Sequence, residues 1–233
     1  MCTEGCVEFV RRWSNEADLS HKRILEVGSY DVNGSVRGII ATRSPSEYIG
    51  VDISPGPGVD VICDVSGLAD RFGESSFDVV ITTEMLEHVR DWRGAVTNLK
   101  RVMRPGAELL LTTRSRGFQF HGYPADYWRF DLGDMSTIFS DLSILELESD
   151  RPESPGVMVR AKRGTEFSLA DLDKYAVYSV IRRKKVLHAT ARDVFISRCI
   201  ASARDTARHR LPPSVVGAVR SRRRERFAFR SAD

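Results

Sequence analysis

Residues 23–52, RILEVGSYDVNGSVRGIIATRSPSEYIGVD, are the stretch that decides the predicted fold. An apolar run at 24–27 stops at Gly28, and a second apolar run at 48–51 stops at Asp52. A polar turn between the two runs leads into apolar residues at helical spacing, Val36, Ile39 and Ile40. This order of strand, glycine turn, helix, strand and acid is typical of a nucleotide-binding βαβ unit, whose final acid takes ribose hydroxyls.

The turn after the first strand favours a positively charged ligand over a dinucleotide. A dinucleotide-binding turn reads G-x-G-x-x-G, whereas this turn has Gly28 and then Gly34. Pyrophosphate needs several close backbone N–H groups at the N-terminus of a helix. Acids at Glu26 and Asp31 suit a cation instead.

The stretch resembles motif I and the second-strand acid of class I S-adenosylmethionine (SAM) methyltransferases. The usual run of that family is E-x-G-x-G-x-G, and the last glycine comes two residues late here, at Gly34. The resemblance implies that this edge of the sheet binds SAM and its product S-adenosylhomocysteine. The residues that it implies for this part of the cofactor site are Glu26, Gly28, Ser29, Gly34, Asp52 and Ile53.

A third short strand is predicted at 59–63 and ends at Asp64. In the family, an acid at this strand end receives the adenine amino group, so the resemblance implies cofactor contacts at Asp64 and Val65. The alternative role for Asp64 is to cap the short helix predicted at 66–73, a role for which Ser66 competes.

The fourth strand, 77–83, is apolar on both faces, as a central parallel strand should be. The sequence E-M-L-E-H-V follows at 84–89 and resembles motif IV of a large methyltransferase group with an E-x-L-E-H-V signature. The resemblance implies cofactor contacts at Thr83, Glu84 and His88. As an alternative, His88 only begins a helix and lines the pocket.

The order of the remaining elements predicts the full sheet. A helix at 94–103 ends at Pro105-Gly106, and a fifth strand follows at 109–113. A helix at 132–142 precedes strands six and seven, at 143–147 and 157–161. The fold class implied by the resemblance is α/β, Rossmann-like, with helices on both faces of a seven-stranded, mostly parallel sheet in the order 3-2-1-4-5-7-6.

We predict three regions in the chain. Residues 1–19 hold a helix whose apolar face packs on the sheet or also covers the cofactor, residues 20–163 are the methyltransferase domain, and residues 164–233 are a basic helical extension. Apolar residues at helical spacing predict helices from 168 to 179 and from 183 to 207. Since the sheet is complete by 161, residues 182–233 are expected to be dispensable for cofactor binding.

Composition excludes some classes of protein. The chain has 233 residues, 42% of them hydrophobic, and no apolar run long enough to span a membrane. The N-terminus lacks the apolar segment of a secretory signal. Four scattered cysteines include Cys63, expected to be a buried thiol, and the pair Cys2-x3-Cys6 lacks a second ligand pair for zinc. We therefore expect a cytoplasmic protein without disulfides.

Charge is distributed unevenly along the chain. Residues 182–230 hold fifteen Lys and Arg against three acids, whereas residues 1–181 hold 20 Lys and Arg against 28 acids. The basic part is a solvated, partly disordered helix, or it docks on the acidic body of the protein, an anionic membrane surface, a partner or nucleic acid.

The candidate for acceptor binding is the aromatic loop at 114–130, RSRGFQFHGYPADYWRF. Similar H-x-x-P-x-D-Y-W-R-F loops occur in methyltransferases of bacterial glycan and natural-product pathways. The predicted acceptor-binding residues are Tyr123, Asp126, Tyr127, Trp128 and Arg129. His121 is the candidate catalytic base, and the alternative is a structural histidine hydrogen-bonded to Asp126.

The resemblance predicts a SAM-dependent methyltransferase acting on a hydroxyl or amine of a small molecule or saccharide. Methyl transfer from SAM is an in-line displacement that requires no metal, so none is predicted. Two alternatives remain, which are a nucleic-acid methyltransferase that uses the basic extension and a catalytically silent SAM-binding partner protein. The sequence lacks the Asn-Pro-Pro-Tyr type of motif used on base amines, which counts against the first of these.

Overall fold

The structure is a computed structural model, and it describes residues 3–32, 34–122 and 125–210. Two predicted features lie outside the described residues, the acceptor contact of Tyr123 and the basic cluster at 220–226. No helix within the described ranges is long and apolar enough to cross a membrane.

The described part of the chain begins with a helix, and further strands and helices follow it. The helices are α1 (Glu4–Glu16), α2 (Arg37–Ala41), α3 (Leu68–Phe72), α4 (Trp92–Val102), α5 (Leu132–Ile138) and α6 (Ala191–Arg210). The strands are β1 (Arg23–Val27), β2 (Glu47–Asp52), β3 (Val61–Ile62), β4 (Phe77–Thr83), β5 (Met103–Arg114), β6 (Trp128–Arg129), β7 (Ser143–Ser149), β8 (Gly156–Lys162), β9 (Val177–Ser179) and β10 (Lys184–Val186). Short 3₁₀ helices cover Val65–Gly67 and Leu86–His88.

Seven of the described strands form one sheet in the order β3-β2-β1-β4-β5-β8-β7. The neighbouring pairs β3–β2, β2–β1, β1–β4 and β4–β5 are parallel, and β8 pairs antiparallel with both β5 and β7. The predicted order is confirmed, because β7 and β8 are the strands counted as six and seven in the sequence. Val27 lies opposite Val51 on one side and Thr82 on the other, so the segments that follow these strands meet at one edge.

Hydrophobic layers cover both faces of the sheet. Helix α1 places Phe9, Val10 and Trp13 against Ile24 and Ile81 on one face. The other face carries the larger layer, which includes residues of α3, α4 and α5. The helix predicted within residues 1–19 is thus confirmed in type, and its buried stripe packs on the sheet.

The third strand is shorter than predicted, and its neighbouring thiol is less buried. Strand β3 covers only Val61–Ile62, and Cys63 is half-buried, with its Sγ 3.3 Å from the carbonyl oxygen of Asp64. The expectation of a buried Cys63 is therefore wrong, because this strand lies at the edge of the sheet, where one side faces solvent.

The predicted end of α4 is also corrected. The helix ends at Val102, and β5 begins at Met103 and runs through Pro105 and Gly106. The pairing of β5 with β4 shifts register between its first and second partners, so residues 104–107 bulge out of the ladder. A proline is tolerated in such a bulge because no ladder hydrogen bond needs its missing N–H.

The extension is not helical throughout, contrary to the prediction. Residues 177–179 and 184–186 form the hairpin β9–β10, and β9 pairs with β6 inside the aromatic loop. Val177 and Ala189 are buried in the main hydrophobic layer. Of the two helices predicted, at 168–179 and 183–207, only the second has a counterpart among the described residues, which is α6, beginning at 191. The apolar residues of 169–179 fit a helical stripe in sequence, but pairing with β6 imposes the two-residue period of a strand instead.

Ser197 fastens α6 to the aromatic loop. Its hydroxyl is fully buried, accepts the backbone N–H of Asp126 at 3.0 Å and lies 3.3 Å from the carbonyl oxygen of the same residue. The described part of the extension is therefore packed onto the domain and contributes to its stability.

We expect Ser197→Ala to lower the free energy of unfolding by about 1–3 kcal/mol, because a buried N–H loses its acceptor. The matched control is Ser202→Ala on the same helix, where the side chain is exposed. Urea unfolding followed by circular dichroism measures both variants. Equal stability of the two variants would contradict the assigned role of Ser197.

Candidate functional site

The backbone N–H groups of the turn after β1 are hydrogen-bonded within the protein. Gly28 has a φ of +79°, in the region that favours glycine, and an added Cβ would lie 2.8 Å from that of Met85. The N–H groups of Gly28 and Ser29 both donate to the carbonyl oxygen of Val51, at 2.9 and 3.0 Å, and that of Gly34 donates to Oδ1 of Asp31 at 2.7 Å. Because these donors are used within the protein, they do not form the nest of N–H groups that a phosphate requires.

Glu26 is a buried acid within β1. The hydroxyl of Tyr48 donates to its Oε2 at 2.7 Å, and only 2% of the residue is exposed. Burial raises the pKa of Glu26 to about 7, although Tyr48 and Arg37 act in the opposite direction. The carboxyl group therefore changes charge near neutral pH, and a nearby cation would favour its ionised form.

Two further predicted cofactor acids follow the next strands. Asp52, half-buried at the end of β2, accepts the backbone N–H of Ser54 at 3.0 Å, and Ile53 beside it is exposed. Asp64 caps the 3₁₀ helix at Val65, accepting from the N–H and the hydroxyl of Ser66 at 2.8 and 2.7 Å. Ser66 is thus a donor to Asp64 and does not compete for the cap, and the contact of Asp64 with adenine stays a prediction.

Glu84 is placed differently from what the motif suggested. Its backbone has a φ of +56°, and its side chain turns into the protein, where it pairs with the guanidinium of Arg114. The hydroxyl of Thr112 and the thiol of Cys6 also donate to Oε1 of Glu84, at 2.9 and 3.1 Å. Burial and the nearby Glu87 raise the pKa of Glu84, and Arg114 opposes this rise. These contacts are structural, and a contact of its side chain with cofactor stays untested.

A second cluster of charged residues lies beside the buried cluster around Glu84. It joins Glu87 and His88, which follow β4, to the aromatic loop. Oε1 of Glu87 is 3.4 Å from Nε2 of His121 and 3.8 Å from Nε2 of His88. Nδ1 of His121 lies 3.1 Å from Oδ2 of Asp126, whose two oxygens receive the guanidinium of Arg129 at 2.5 and 2.8 Å. Glu87 and Asp126 are fully buried.

The protonation states of this cluster follow from its neighbours. Burial acts to lower the pKa of His121, but Asp126 and Glu87 outweigh it and raise the pKa to about 9. Burial acts to raise the pKa of Glu87, but the two histidines lower it to about 2. At neutral pH an imidazolium thus lies between two carboxylates. A catalytic role of His121 as a base therefore requires that it first lose this proton.

His88 differs from His121 in its contacts. Its Nδ1 donates to the carbonyl oxygen of Ala125 at 2.5 Å, and burial lowers its pKa. The ring is therefore neutral at pH 7, with its proton on Nδ1 and the lone pair of Nε2 on the side of Glu87.

Four of the predicted acceptor-binding residues are buried and hold the loop in place: Asp126, Tyr127, Trp128 and Arg129. Tyr127 donates its N–H to the carbonyl oxygen of Glu87 at 2.9 Å, and the indole N–H of Trp128 donates to that of Val89 at 2.9 Å. Trp128 is completely buried, which gives it a packing role rather than the predicted place on a pocket wall. The half-buried His121 is the predicted loop residue that combines titratable chemistry with partial exposure.

Some residues of the site could not be recognised in the sequence. Arg114 and Cys6 come from distant parts of the chain and meet at Glu84, and Asp150 pairs with the guanidinium of Arg114. Nothing in their local sequence sets them apart from ordinary surface charges or thiols, since burial and pairing arise only when the sheet forms. The signal for Glu87 was present, because it stands in the E-x-L-E-H-V signature beside His88.

The sheet order and the acids at its carboxyl edge define the fold of the class I SAM-dependent methyltransferases. Residues 3–153 match the model of a family described as a methyltransferase domain. Because that match takes in more than half of the chain, this protein belongs to the methyltransferase-domain family.

Curated relatives agree with this family. The chain is 33% identical over 114 residues to a ubiquinone biosynthesis O-methyltransferase of Hahella chejuensis, a match that covers 43% of the chain and 46% of the relative. It is 32% identical over 113 residues to a probable phthiotriol/phenolphthiotriol dimycocerosates methyltransferase of Mycobacterium ulcerans, with 43% and 42% covered. These matches span less than half the length of each relative.

Solved structures show the same fold at low identity. A 1,6-didemethyltoxoflavin-N1-methyltransferase of Burkholderia thailandensis superimposes with a TM-score of 0.54 at 13% identity, over 68% of this chain and 78% of the other. The magnesium protoporphyrin IX methyltransferase of Synechocystis PCC 6803, solved with SAM, gives a TM-score of 0.52 at 17% identity, over 68% and 78%. At these identities the likeness concerns the fold alone.

We expect the stability of the cofactor-free protein to reflect the raised pKa of Glu26. The folded state favours the protonated carboxyl, so this contribution is complete below pH 4.5 and is lost as the pH rises through about 7. Relative to Glu26→Gln, which stays neutral, the wild type should lose up to about 3 kcal/mol of unfolding free energy between pH 4.5 and pH 8.

Urea unfolding at pH 5 and pH 8 measures this difference. The control is Glu16→Gln, at the exposed end of α1, which removes an acid of the same type outside the site. A Glu26→Gln difference that does not change with pH would show that Glu26 is ionised throughout.

Proposed function

We propose that this protein transfers a methyl group from SAM to a hydroxyl of a small molecule or saccharide. The observation that carries the proposal is the proximity of two different groups of residues at one edge of the sheet. Acids within or after β1, β2 and β3 suit a cationic nucleoside ligand. The cluster beside them combines Glu87 and His88, which follow β4, with His121 from the loop after β5.

The residues present fit SAM by their chemistry. SAM carries a sulfonium and an ammonium group, ribose hydroxyls and an adenine amino group, which call for acceptors or negative charge, and one carboxylate, which calls for donors. Glu26, Asp52 and Asp64 provide carboxylate oxygens, and backbone donors of the β1 turn are already used within the protein. We assign Asp52 to the ribose hydroxyls, Asp64 to the adenine end and the β1 turn to the methionine end.

SAM supplies an electrophilic methyl carbon when bound. The protein then has to position an acceptor oxygen and receive its proton, and orientation accounts for much of the rate of such reactions. The histidine cluster is the part of the chain suited to this task, because His121, once it has lost its own proton, offers a ring nitrogen at a partly exposed position. Asp126 and Arg129 fix the ring of His121 from behind.

Two considerations favour oxygen over nitrogen as the acceptor atom. The printed name of the relative from Hahella chejuensis is that of an O-methyltransferase. A hydroxyl must also lose a proton to become a good nucleophile, whereas a neutral amine is already nucleophilic. Transfer to a hydroxyl needs a group that accepts a proton, which the cluster of acids and histidines offers, whereas transfer to a neutral amine does not need one.

We expect Asp52→Asn to weaken SAM binding by roughly tenfold or more, because a charge-assisted acceptor contributes about 1.5–3 kcal/mol. The matched control is Asp70→Asn, an exposed acid on α3 that should leave the affinity unchanged. Titration calorimetry with SAM and with S-adenosylhomocysteine measures both variants.

Turnover is tested by the release of S-adenosylhomocysteine from SAM in the presence of panels of hydroxyl, amine and polynucleotide acceptors. The proposal expects release with hydroxyl acceptors and its loss in parallel with SAM affinity in Asp52→Asn. SAM binding without turnover on any panel would favour a silent binding protein, and turnover confined to polynucleotides would favour a nucleic-acid methyltransferase. Either result would overturn the proposal.

A further inference from the structure

Glu87, His88 and His121 are arranged like ligands of a metal ion. One ligand atom from each of the three residues lies within 4.8 Å of the other two. The distances from Oε1 of Glu87 to Nε2 of His121 and Nε2 of His88 are 3.4 and 3.8 Å. Donors about 2.0–2.1 Å from a tetrahedral ion stand roughly 3.3–3.5 Å apart, so small side-chain shifts suffice to bring the set together.

Each of these three side chains is held from behind by a second group. Nδ1 of His88 donates to the carbonyl oxygen of Ala125, and Nδ1 of His121 faces the carboxylate of Asp126 at 3.1 Å. The hydroxyl of Thr113 donates to Oε2 of Glu87 at 2.8 Å, which leaves Oε1 for the cluster. Metal-binding histidines usually have such carbonyl or carboxylate partners on the second ring nitrogen.

Oε1 of Glu87 is an independent indication of a ligand. It is fully buried and has no hydrogen bond within the described part of the chain, although it is aimed at the two Nε2 atoms. The imidazolium of His121 at 3.4 Å balances the charge of this oxygen without a hydrogen bond to it, and a divalent ion bound there would take the place of that proton.

We propose that Glu87, His88 and His121 bind one divalent first-row transition-metal ion, such as Zn²⁺, through Oε1 and the two Nε2 atoms. Two imidazoles and one carboxylate suit Zn²⁺, Fe²⁺, Co²⁺ or Ni²⁺, whereas Mg²⁺ and Ca²⁺ prefer sites made of oxygen. This differs from the metal-free site expected from the sequence, because His121 comes to the E-H pair only through the folding of the aromatic loop.

Three protein ligands leave at least one coordination position open, as in catalytic rather than structural metal sites. The side chains of His88 and His121 are 18% and 12% exposed, so the cluster is reachable from one side. If the proposed function is correct, the open position is where an acceptor hydroxyl would be polarised. The binding of the ion itself does not rest on the proposed function.

The test uses the full-length, tag-free chain after treatment with a chelator. Co²⁺ is titrated while its visible absorption is recorded, and elemental analysis after dialysis against Zn²⁺ gives the stoichiometry. We expect one ion per chain in the wild type. Glu87→Gln and His121→Asn should each weaken Co²⁺ binding by more than roughly tenfold, and a hundredfold excess of Mg²⁺ should not displace the ion.

Two further variants separate ligation from loss of folding. His188→Asn removes an exposed histidine outside the cluster and should bind Co²⁺ like the wild type. Thr113→Val keeps all three ligands but removes the hydrogen bond to Glu87, and should weaken binding by roughly 10–100-fold. Circular dichroism and thermal unfolding verify each fold.

The proposal is overturned if the chelator-treated wild type binds no Co²⁺, if folded Glu87→Gln and His121→Asn bind it as the wild type does, or if Mg²⁺ displaces it readily. These readouts need neither SAM nor turnover. Failure here with intact methyl transfer would therefore refute the metal site alone, and metal binding without methyl transfer would refute only the proposed function.

Discussion

The organisation of the aromatic loop depends on one buried ion pair, between Asp126 and Arg129. The guanidinium meets both carboxylate oxygens, at 2.5 and 2.8 Å, and also donates to the carbonyl oxygen of Gln119 at 3.0 Å. Breaking such a pair leaves an uncompensated buried charge, which costs about 3–5 kcal/mol. Because Asp126 also accepts the backbone N–H of His121 at 2.8 Å, the ion pair fixes the position of His121.

Two neighbouring clusters balance their buried charges in the same way. In one, Arg114 lies between Glu84 and Asp150, and in the other, His121 lies between Glu87 and Asp126. Each buried cation is thus shared by two carboxylates, which limits the cost of burying charge at the edge of the sheet. The difference is in the cation. Arginine keeps its proton permanently, whereas histidine can exchange its proton for another positive charge.

Much of the sheet could be predicted because its information is local. Continuous apolar runs that stop at Gly28, Asp52 and Thr83 mark buried parallel strands and the edge where ligands gather. The signature around Glu87 and His88 could be read in the same way, since the residues are adjacent in sequence. In these regions local pattern and final packing agree.

The parts that could not be predicted depend on contacts between distant segments. Residues 169–179 carry a helical stripe, yet Val177 joins a strand because β6 offers it a partner. Trp128 was predicted to bind the acceptor because its loop is rich in large rings and charge, but its ring fills the core and its N–H is satisfied by Val89. The inward turn of the Glu84 carboxylate could not be predicted either, because it depends on Arg114, thirty residues later in the chain.

The hydrogen bond between Ser197 and Asp126 couples the position of α6 to that of the histidine cluster. The same Asp126 meets α6 through its backbone and His121 through its carboxylate. A ligand that fixes His121 therefore also favours the docked position of α6, by the reciprocity that governs coupled binding events. A macromolecule that holds the basic helix against the loop contributes free energy to the occupancy of the cluster in turn, and one that pulls the helix away opposes that occupancy.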